Sequence, residues 1–263
     1  MKVSFIGTGN MGSALASAAA KKKDVTVLLY DVDQARAEAL AEKLGGSAIG
    51  LQDTLAADFL FLGVKPQVLP LLAKDLKPLL DAASSRPVLV TMAAGKSIDT
   101  VQGLLGKYPM IRIMPNTPVA VGEGVLLYCT RDLPEGCEEA FVSLMSEAGM
   151  VSPLAEEKID AASALTGCGP AFVYLFLEAL ADGAVSCGLP RDLATKYAAA
   201  TLRGAATLAL TSGKCPGELK DAVCSPGGTT IEGVRTLEER AFRGTTMDAV
   251  TAVYQKTLLL GKG

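Results

Sequence analysis

The first 150 residues alternate short apolar runs with segments of helical period. Six runs are rich in leucine, β-branched and aromatic residues, as buried strands are; they cover residues 2–6, 25–30, 59–64, 87–91, 110–114 and 124–129. Helical patterns lie between them, one capped by Asp33 and ending before Gly45, another capped by Ser97. This alternation predicts a doubly wound, mainly parallel sheet with helices on both faces.

Beyond residue 153 helical stretches replace the strand pattern. They cover residues 170–187, 190–210, 216–223, 230–240 and 245–260. We therefore predict an α/β protein with a Rossmann-type N-terminal domain, residues 1–153, and an all-helical C-terminal dimerisation domain, residues 154–263. Residues 171–181 are apolar on nearly every side of their helix, and such a helix must be covered on every side. The pattern favours a homodimer with interlocked helices.

Composition argues against several partners and chemistries. A net charge of −3 without a basic block disfavours nucleic acid and anionic membrane surfaces as partners, and no segment predicts a transmembrane helix. Six cysteines form no C-x-x-C pair, so we expect reduced, mostly buried thiols in a cytoplasmic protein. The chain has no histidine, which excludes an imidazole acid and makes a catalytic zinc site improbable; we expect no metal.

A glycine-rich loop follows the first apolar run. Its sequence is Gly7-Thr8-Gly9-Asn10-Met11-Gly12, a G-x-G-x-x-G pattern between a strand and a helix. In dinucleotide sites the first glycine makes the turn, the second lets backbone approach a pyrophosphate, and the third lets the helix pack on the strand. Asp31 lies 19 residues past Gly12, where an acidic side chain accepts hydrogen bonds from an adenosine ribose. We predict dinucleotide binding here.

Three further loops fall at predicted strand ends, where a doubly wound sheet binds its ligand. Each has a simpler interpretation as a solvated charge or a turn. Their recurrence at strand ends nevertheless favours cofactor contact, and the candidate residues are Val64, Lys65 and Pro66; Ala93, Ala94 and Gly95; and Asn116.

A second glycine-rich turn, Ser225-Pro226-Gly227-Gly228-Thr229-Thr230, leads into a predicted helix. One interpretation is structural: Thr229 and Glu232 fit the S/T-x-x-E capping box of an ordinary helix start. The other is functional: Gly227 and Gly228 expose backbone N–H groups at a helix N-terminus, a site suited to a carboxylate. The residues alone leave both open.

The chain resembles the pyrroline-5-carboxylate reductase family over almost its whole length. The most specific matching motifs are Arg112-Ile113-Met114-Pro115-Asn116-Thr117-Pro118, Leu165-Thr166-Gly167-Cys168-Gly169-Pro170-Ala171-Phe172, and Leu219-Lys220-Asp221 with the segment 225–230. The resemblance implies a nicotinamide-binding N-terminal domain and a helical dimerisation domain, often assembled as a ring of five dimers.

The resemblance also implies roles for individual residues. Ser225, Gly227, Gly228 and Thr229 would hold the substrate carboxylate through backbone N–H groups. The Thr230 hydroxyl would approach the ring nitrogen, which makes Thr230 the candidate catalytic residue. Glu156 matches a position that lies near the substrate in the family.

This sequence departs from the family pattern at three places. Many relatives carry Asn or Ser with Arg after the second strand, whereas this chain has Asp31-Val32-Asp33, which favours NADH over NADPH. Arg36 on the following helix keeps NADPH open. Cys168 replaces a usual serine, as a small packing residue or a reactive thiol. Gly213 replaces a glutamate found in some relatives, so no substrate contact is predicted there.

The predicted activity is reduction of the C=N bond of 1-pyrroline-5-carboxylate to proline. Hydride attack on a protonated imine discharges an existing cation, so the step forms no alkoxide and needs no strong general acid, in agreement with the absence of histidine. The alternatives are a related cyclic-imine or keto-acid reductase and a non-catalytic NAD-binding sensor.

Overall fold

The computed structural model describes residues 1–84 and 86–261. Their contacts divide the chain into two compact units. Unit 1 comprises residues 1–168 and the C-terminal segment that begins at Tyr254, and unit 2 comprises residues 169–253. Each unit is described by itself below.

The described residues of unit 1 form one sheet of eight strands. The strands are β1 Lys2–Ile6, β2 Thr26–Tyr30, β3 Ser47–Ala48, β4 Phe59–Leu62, β5 Val88–Thr91, β6 Met110–Met114, β7 Gly124–Arg131 and β8 Gly149–Pro153. Their order is β3-β2-β1-β4-β5-β6-β7-β8, and every adjacent pair is parallel except β6 and β7, which are antiparallel. The winding direction reverses between β1 and β4, where doubly wound sheets bind ligands.

Eleven helices occur in the part of the chain that the structure describes. They are α1 Asn10–Ala20, α2 Gln34–Leu44, α3 Leu69–Ala82, α4 Ile98–Leu105, α5 Cys137–Met145, α6 Glu156–Thr166, α7 Gly169–Ser186, α8 Arg191–Thr211, α9 Pro216–Ala222, α10 Thr229–Glu239 and α11 Phe242–Gly261. Short 3-10 turns join some of the elements in unit 1.

Alternate side chains of the central strands enter two separate cores. Phe59 and Phe61 of β4 pack with residues of α1 and α5, whereas Leu60 and Leu62 of the same strand pack with residues of α3 and α4. This follows from the period of two along a strand, which sends successive side chains to opposite faces. The sheet is therefore covered on both faces, which explains why its strands are continuous apolar runs.

Helix ends follow the caps that the sequence predicts. Asp33 Oδ1 accepts a hydrogen bond from Arg36 N at 3.2 Å, and Gly45 ends α2 in the left-handed conformation with φ 67°. Ser97 Oγ accepts from Thr100 N at 3.2 Å at the start of α4. The sequence patterns do not predict β3, β8, α5 or α6.

Helix α6 belongs to unit 1 because it packs on the sheet. Ile159 is buried with Met114 of β6 and Leu127 of β7. Unit 1 consequently extends to Cys168, past the predicted domain boundary at residue 153.

A buried arginine stands at the centre of β6. The side chain of Arg112 is 4% exposed, and its Nη2 lies 2.7 Å from Asp160 Oδ1 and its Nη1 3.3 Å from Glu156 Oε1. The Glu156 carboxylate also accepts from Ile98 N at 2.7 Å and lies 3.6 Å from Arg131 Nη2. The ion pairs join α6 to β6 and β7, and the hydrogen bond from Ile98 N joins it to the N-terminus of α4.

Unit 2 is built only of helices in the described chain. Helices α7 and α8 pack closely through three buried alanines, Ala181, Ala194 and Ala198. Much of the apolar surface of α7 is exposed instead, including Tyr174 and Leu175. This is the surface for which the sequence pattern predicts a covering partner.

One stretch of the described chain, Glu156–Ser186, is long and apolar enough to cross a membrane by length and composition. A turn at residues 167–168 divides this stretch into α6 and α7. A single stretch of this kind is weak evidence for a membrane span, because helices that pack against protein have the same composition.

The prediction of mostly buried cysteines is wrong for the described chain. All six are free thiols, but Cys168, Cys187 and Cys215 are exposed and the other three are only partly buried. Three of the six lie on or beside the helices of unit 2, where a small domain leaves much of each helix uncovered.

Replacing Arg112 with methionine should destabilise unit 1 by about 3–5 kcal/mol, because two carboxylates would lose their buried partner. Chemical denaturation at one protein concentration measures this. The matched control is Lys77→Met, which removes the exposed pair of Lys77 with Asp81 on α3 and should cost no more than about 0.5 kcal/mol. An Arg112→Met protein as stable as the control would contradict the structural role of the network.

Candidate active site

The glycine loop between β1 and α1 is shaped by close backbone contacts. Gly7 has φ +96°, and a Cβ there would lie 2.9 Å from the carbonyl group of Gly63. A Cβ on Gly12 would collide with the Gly7 carbonyl oxygen. A Cβ on Gly9, in contrast, would meet nothing within 4 Å. The first and third glycines therefore serve packing, while the second leaves space beside the backbone, as a bound pyrophosphate requires.

The N-terminus of α1 opens at this space. Gly9 is its N-cap, makes no side-chain cap and is followed by no acidic residue in the first turn. The first N–H groups of a helix have no intrahelical partner and carry a partial positive charge. This end of α1 is consequently suited to bind an anion, and the loop fits a dinucleotide.

Two cavities lie at the carboxyl ends of the strands in unit 1. One of about 330 Å³ is lined by Asp31, Val32 and Arg36 among others, and one of about 550 Å³ by Met92, Ala94, Met114 and Pro115 among others. We call them the Asp31 cavity and the Met114 cavity. Both are lined by four common residues, Gly9, Gly63, Val64 and Lys65. Together they provide a continuous set of walls for an elongated ligand.

Nine of the fourteen predicted cofactor residues line these cavities: Gly7, Gly9, Asn10, Met11, Asp31, Val64, Lys65, Pro66 and Ala94. The other five, Thr8, Gly12, Ala93, Gly95 and Asn116, do not line either cavity. Three of them have structural roles beside the cavities: Ala93 is buried, Gly95 provides a turn with φ +70°, and Gly12 packs on Gly7.

The Asp31 carboxylate is held by three protein donors. Its Oδ2 accepts from Thr8 N at 2.7 Å and from Thr8 Oγ1 at 2.8 Å, and its Oδ1 accepts from Asp33 N at 3.0 Å. Burial acts to raise the pKa of Asp31, but these hydrogen bonds and the charge of Arg36 hold that pKa below its usual value. Asp31 is thus a fixed anion at neutral pH, with one Oδ1 acceptor position left over.

Arg36, which lines the Asp31 cavity, is already paired with an acidic residue. Arg36 Nη2 lies 3.3 Å from Asp33 Oδ2, and both side chains are about half exposed. Asp33 also caps α2, so its carboxylate is directed toward the helix that carries Arg36. The wall of the Asp31 cavity therefore contains the Asp31 and Asp75 carboxylates together with Arg36, whose charge is neutralised by Asp33 next to the cavity.

Unit 2 contains the second glycine turn. Gly227 has φ +67°, which favours glycine, and Gly228 N donates to Ser225 O at 3.0 Å. Helix α10 begins at Thr229 with Gly228 as its N-cap and without a side-chain cap. Thr230 is exposed in the second position of the helix.

The capping-box interpretation of this turn is wrong. Thr229 lies inside the helix rather than at its N-cap, and the Glu232 carboxylate bonds Arg235 instead of the backbone of the turn. Within the described residues, the N-cap of α10 provides no side-chain hydrogen bond to the first N–H groups of the helix. That arrangement leaves them available to an anion such as a carboxylate.

Glu156 has structural partners in unit 1. Its carboxylate accepts from Ile98 N and Arg112 and faces Arg131. The substrate contact that the resemblance implies for Glu156 stays a prediction, and the structure gives this side chain a different set of interactions.

Two family models match the chain. A model described as pyrroline-5-carboxylate reductase dimerisation matches residues 156–260, and one described as NADP oxidoreductase, coenzyme F420-dependent, matches residues 2–95. The first begins close to the predicted domain boundary, and the second covers the glycine loop and both Asp31 and Ala94.

Full-length relatives decide the family. The chain is 38% identical to pyrroline-5-carboxylate reductase of Pisum sativum, covering 96% of this chain and 93% of that one, and 36% identical to the Escherichia coli protein of that name, covering 99% and 98%. The crystal structure of the Plasmodium falciparum enzyme with NADP bound superposes with a TM-score of 0.86 at 29% identity, covering 99% and 98%. The chain belongs to the pyrroline-5-carboxylate reductase family.

Membership of the pyrroline-5-carboxylate reductase family confirms the predicted fold class. The N-terminal part is a Rossmann-type sheet and the C-terminal part is the helical dimerisation domain of the family. The resemblance that the sequence motifs indicate is therefore confirmed over the whole chain.

Sequence reasoning did not identify every residue that lines the two cavities. The strand-end motif 114–118 includes Met114 and Pro115, but Met92 of the Met114 cavity and Leu71 and Leu72 of the Asp31 cavity were missed. An apolar residue in a loop or on a helix carries no chemical signal that marks it as part of a site. Arg112 was also missed as a network residue, although a charge within an otherwise apolar strand is a signal for a buried ion pair.

Proposed function

We propose that this protein reduces 1-pyrroline-5-carboxylate to proline with a reduced nicotinamide dinucleotide as hydride donor. The observation that carries the proposal is the presence of two anion sites of different kind in one chain of this family. One is the uncapped glycine loop of α1 beside the Asp31 and Met114 cavities, and the other is the uncapped glycine turn at α10. The first suits a pyrophosphate and the second a substrate carboxylate.

The residues of unit 1 would hold the dinucleotide along the two cavities. We assign the adenosine half to the Asp31 cavity, the pyrophosphate to the N–H groups of α1, and the nicotinamide half to the Met114 cavity. Lys65 lines both cavities and supplies positive charge between them. When bound, the nicotinamide supplies the hydride that attacks the imine carbon.

The residues of unit 2 would hold the substrate. Backbone N–H groups of the segment 225–229 bind the carboxylate, and the Thr230 hydroxyl makes a hydrogen bond to the ring nitrogen. Because the imine is protonated before attack, hydride addition converts the C=N⁺ bond to a neutral secondary amine and leaves no alkoxide to protonate. The site therefore needs orientation and a hydrogen-bond partner rather than a strong acid. A chain without histidine meets that need.

We also propose a homodimer formed through unit 2 as the functional species. The exposed apolar face of α7 and the match to a dimerisation family support it. We further propose that the dimers can assemble into a larger ring. The protein is proposed to be cytoplasmic and to have no nucleic-acid or membrane partner.

Initial rates of NADH and NADPH oxidation separate this proposal from its alternatives. We expect turnover with 1-pyrroline-5-carboxylate and much slower turnover with its six-membered analogue and with simple keto acids. Preference for a keto acid or the larger ring would replace the proposal by the related-reductase alternative. Cofactor binding without turnover of any of these substrates would indicate the sensor.

NADH should be the better donor, because a 2'-phosphate would meet the Asp31 and Asp33 carboxylates. Replacing Asp31 with serine should raise the ratio of kcat/KM for NADPH to that for NADH by about tenfold or more. A tenfold change corresponds to about 1.4 kcal/mol in relative transition-state stabilisation. Asp33→Asn is the matched variant: it keeps a side chain able to cap α2, frees Arg36, and should shift the ratio in the same direction. A wild-type protein that uses NADPH better than NADH would contradict this part of the proposal.

Thr230→Ala should lower kcat for imine reduction by about tenfold or more, because a group that positions the reacting bond is lost. Thr230→Ser keeps the hydroxyl and should retain most of the activity. Calorimetric titration should give the same NADH affinity for both variants, since Thr230 lies in unit 2 and the cofactor residues in unit 1. Wild-type kinetics in Thr230→Ala would exclude the assigned role.

A further inference from the structure

Helix α6 is hydrogen-bonded to other segments of unit 1 at both of its ends. At its N-terminal end Glu156 accepts from Ile98 N at 2.7 Å, and one turn later Asp160 accepts from Arg112 at 2.7 Å. At its C-terminal end the carbonyl oxygen of Thr166 accepts from Asn116 Nδ2 at 2.9 Å. The last of these contacts comes from the loop that follows β6, directly beside the Met114 cavity.

Both polar atoms of the Asn116 side-chain amide are hydrogen-bonded within unit 1. Nδ2 donates to Thr166 O, and Oδ1 accepts from Val125 N at 2.8 Å. The residue is 7% exposed. A buried amide with both ends bonded cannot turn to a ligand without leaving a buried polar group unpaired, which is unfavourable. Asn116 therefore joins α6, the start of β7 and its own loop.

The end of β6 and the first residue of this loop form a wall of the Met114 cavity. Met114 and Pro115, the two residues before Asn116, line that cavity, and Asn116 itself does not. None of the three lines the Asp31 cavity. A change at Asn116 would consequently act on one cavity and leave the other intact.

We propose that Asn116 is a positioning residue, which fixes the Met114–Pro115 wall through α6 instead of contacting the cofactor through its amide. This inference rests on the proposed function, which assigns the nicotinamide half to the Met114 cavity. Hydride transfer depends on near-attack geometry, and a misplacement of about 1 Å lowers such rates by up to about 100-fold. Loosening this wall should therefore lower kcat more than it lowers the binding affinity for the adenosine half of the cofactor.

The test compares Asn116→Asp with Tyr108→Phe. Asn116→Asp keeps the acceptor for Val125 N and replaces the donor to Thr166 by an oxygen of the same size. Tyr108→Phe removes another buried donor to a carbonyl, the 2.7 Å bond from Tyr108 Oη to Leu80 O, in a core of the same unit and away from both cavities. Each variant loses one hydrogen bond to a backbone carbonyl, and Asn116→Asp also buries a charge, which Asn116→Ala does not.

We expect Asn116→Asp to lower kcat by about tenfold or more and to weaken NADH binding, measured by calorimetry, while the affinity for ADP-ribose stays unchanged. Tyr108→Phe should leave kcat, NADH affinity and ADP-ribose affinity unchanged, even if its melting temperature falls as much as that of Asn116→Asp. An equal loss of ADP-ribose affinity, or an unchanged kcat and NADH affinity in Asn116→Asp, would overturn the inference. If Asn116→Asp does not fold, Asn116→Ala carries the same expectations and buries no charge.

A second variant separates positioning from direct contact. Asp160→Asn weakens the attachment of α6 at Arg112 without changing any residue of the cavities. Positioning through α6 predicts a smaller fall in kcat with unchanged ADP-ribose affinity, and effects that are not additive with Asn116→Asp. A silent Asp160→Asn, or fully additive effects, would contradict positioning through α6.

These outcomes are distinguishable from failure of the proposed function. A wild-type protein that does not turn over 1-pyrroline-5-carboxylate refutes the function. The comparison of NADH with ADP-ribose affinity in the variants still decides the role of Asn116.

Discussion

The architecture of the site depends on a close approach of backbone at three glycines. A Cβ on Gly63, at the end of β4, would lie 2.8 Å from the carbonyl oxygen of Gly7, and a Cβ on Gly12 would collide with the same oxygen. Because no side chain intervenes, β1, β4 and α1 meet at one point of the sheet. That point is where the winding direction reverses, and α1 begins there with its N–H groups facing the two cavities.

Hydrogen bonds and one ion pair fix the positions of the few charged side chains around this point. Thr8 sits between the first two glycines and donates twice to Asp31, so the loop that would hold a pyrophosphate also orients the carboxylate that would meet a ribose. The arginine beside it is neutralised by Asp33. The six residues of the glycine loop therefore make the tight turn, place the N-terminus of α1 and orient Asp31 in the wall of its cavity.

Local signals predict the parts of this structure in which a single residue decides the geometry. Asp33 and Gly45 bound α2, and β6 has the predicted ends, because caps, glycine turns and apolar runs act over a few residues. The glycine loop and Asp31 are found for the same reason. Val64, Lys65, Pro66 and Ala94 need only the rule that the carboxyl ends of parallel strands bind ligands, and all four line the two cavities.

Other features depend on tertiary contacts that a local pattern does not contain. Glu156 and Asp160 look like an ordinary solvated first turn of a helix, yet both are bound to the buried Arg112. Asn116 looks like a ligand or a turn residue, and its amide instead joins three segments. Thr229 fits a capping box, but the chain enters α10 one residue earlier, at Gly228. In each case the partner lies far away in sequence or the helix begins at a different residue.

The central claim is that the two anion sites serve one hydride transfer to a cyclic imine. Mass spectrometry of the product formed from 1-pyrroline-5-carboxylate and NADH deuterated at both C4 positions tests it most directly. The account predicts proline that carries one deuterium, on the former imine carbon. Oxidation of the deuterated NADH without deuterium in proline, or no proline at all, would contradict it.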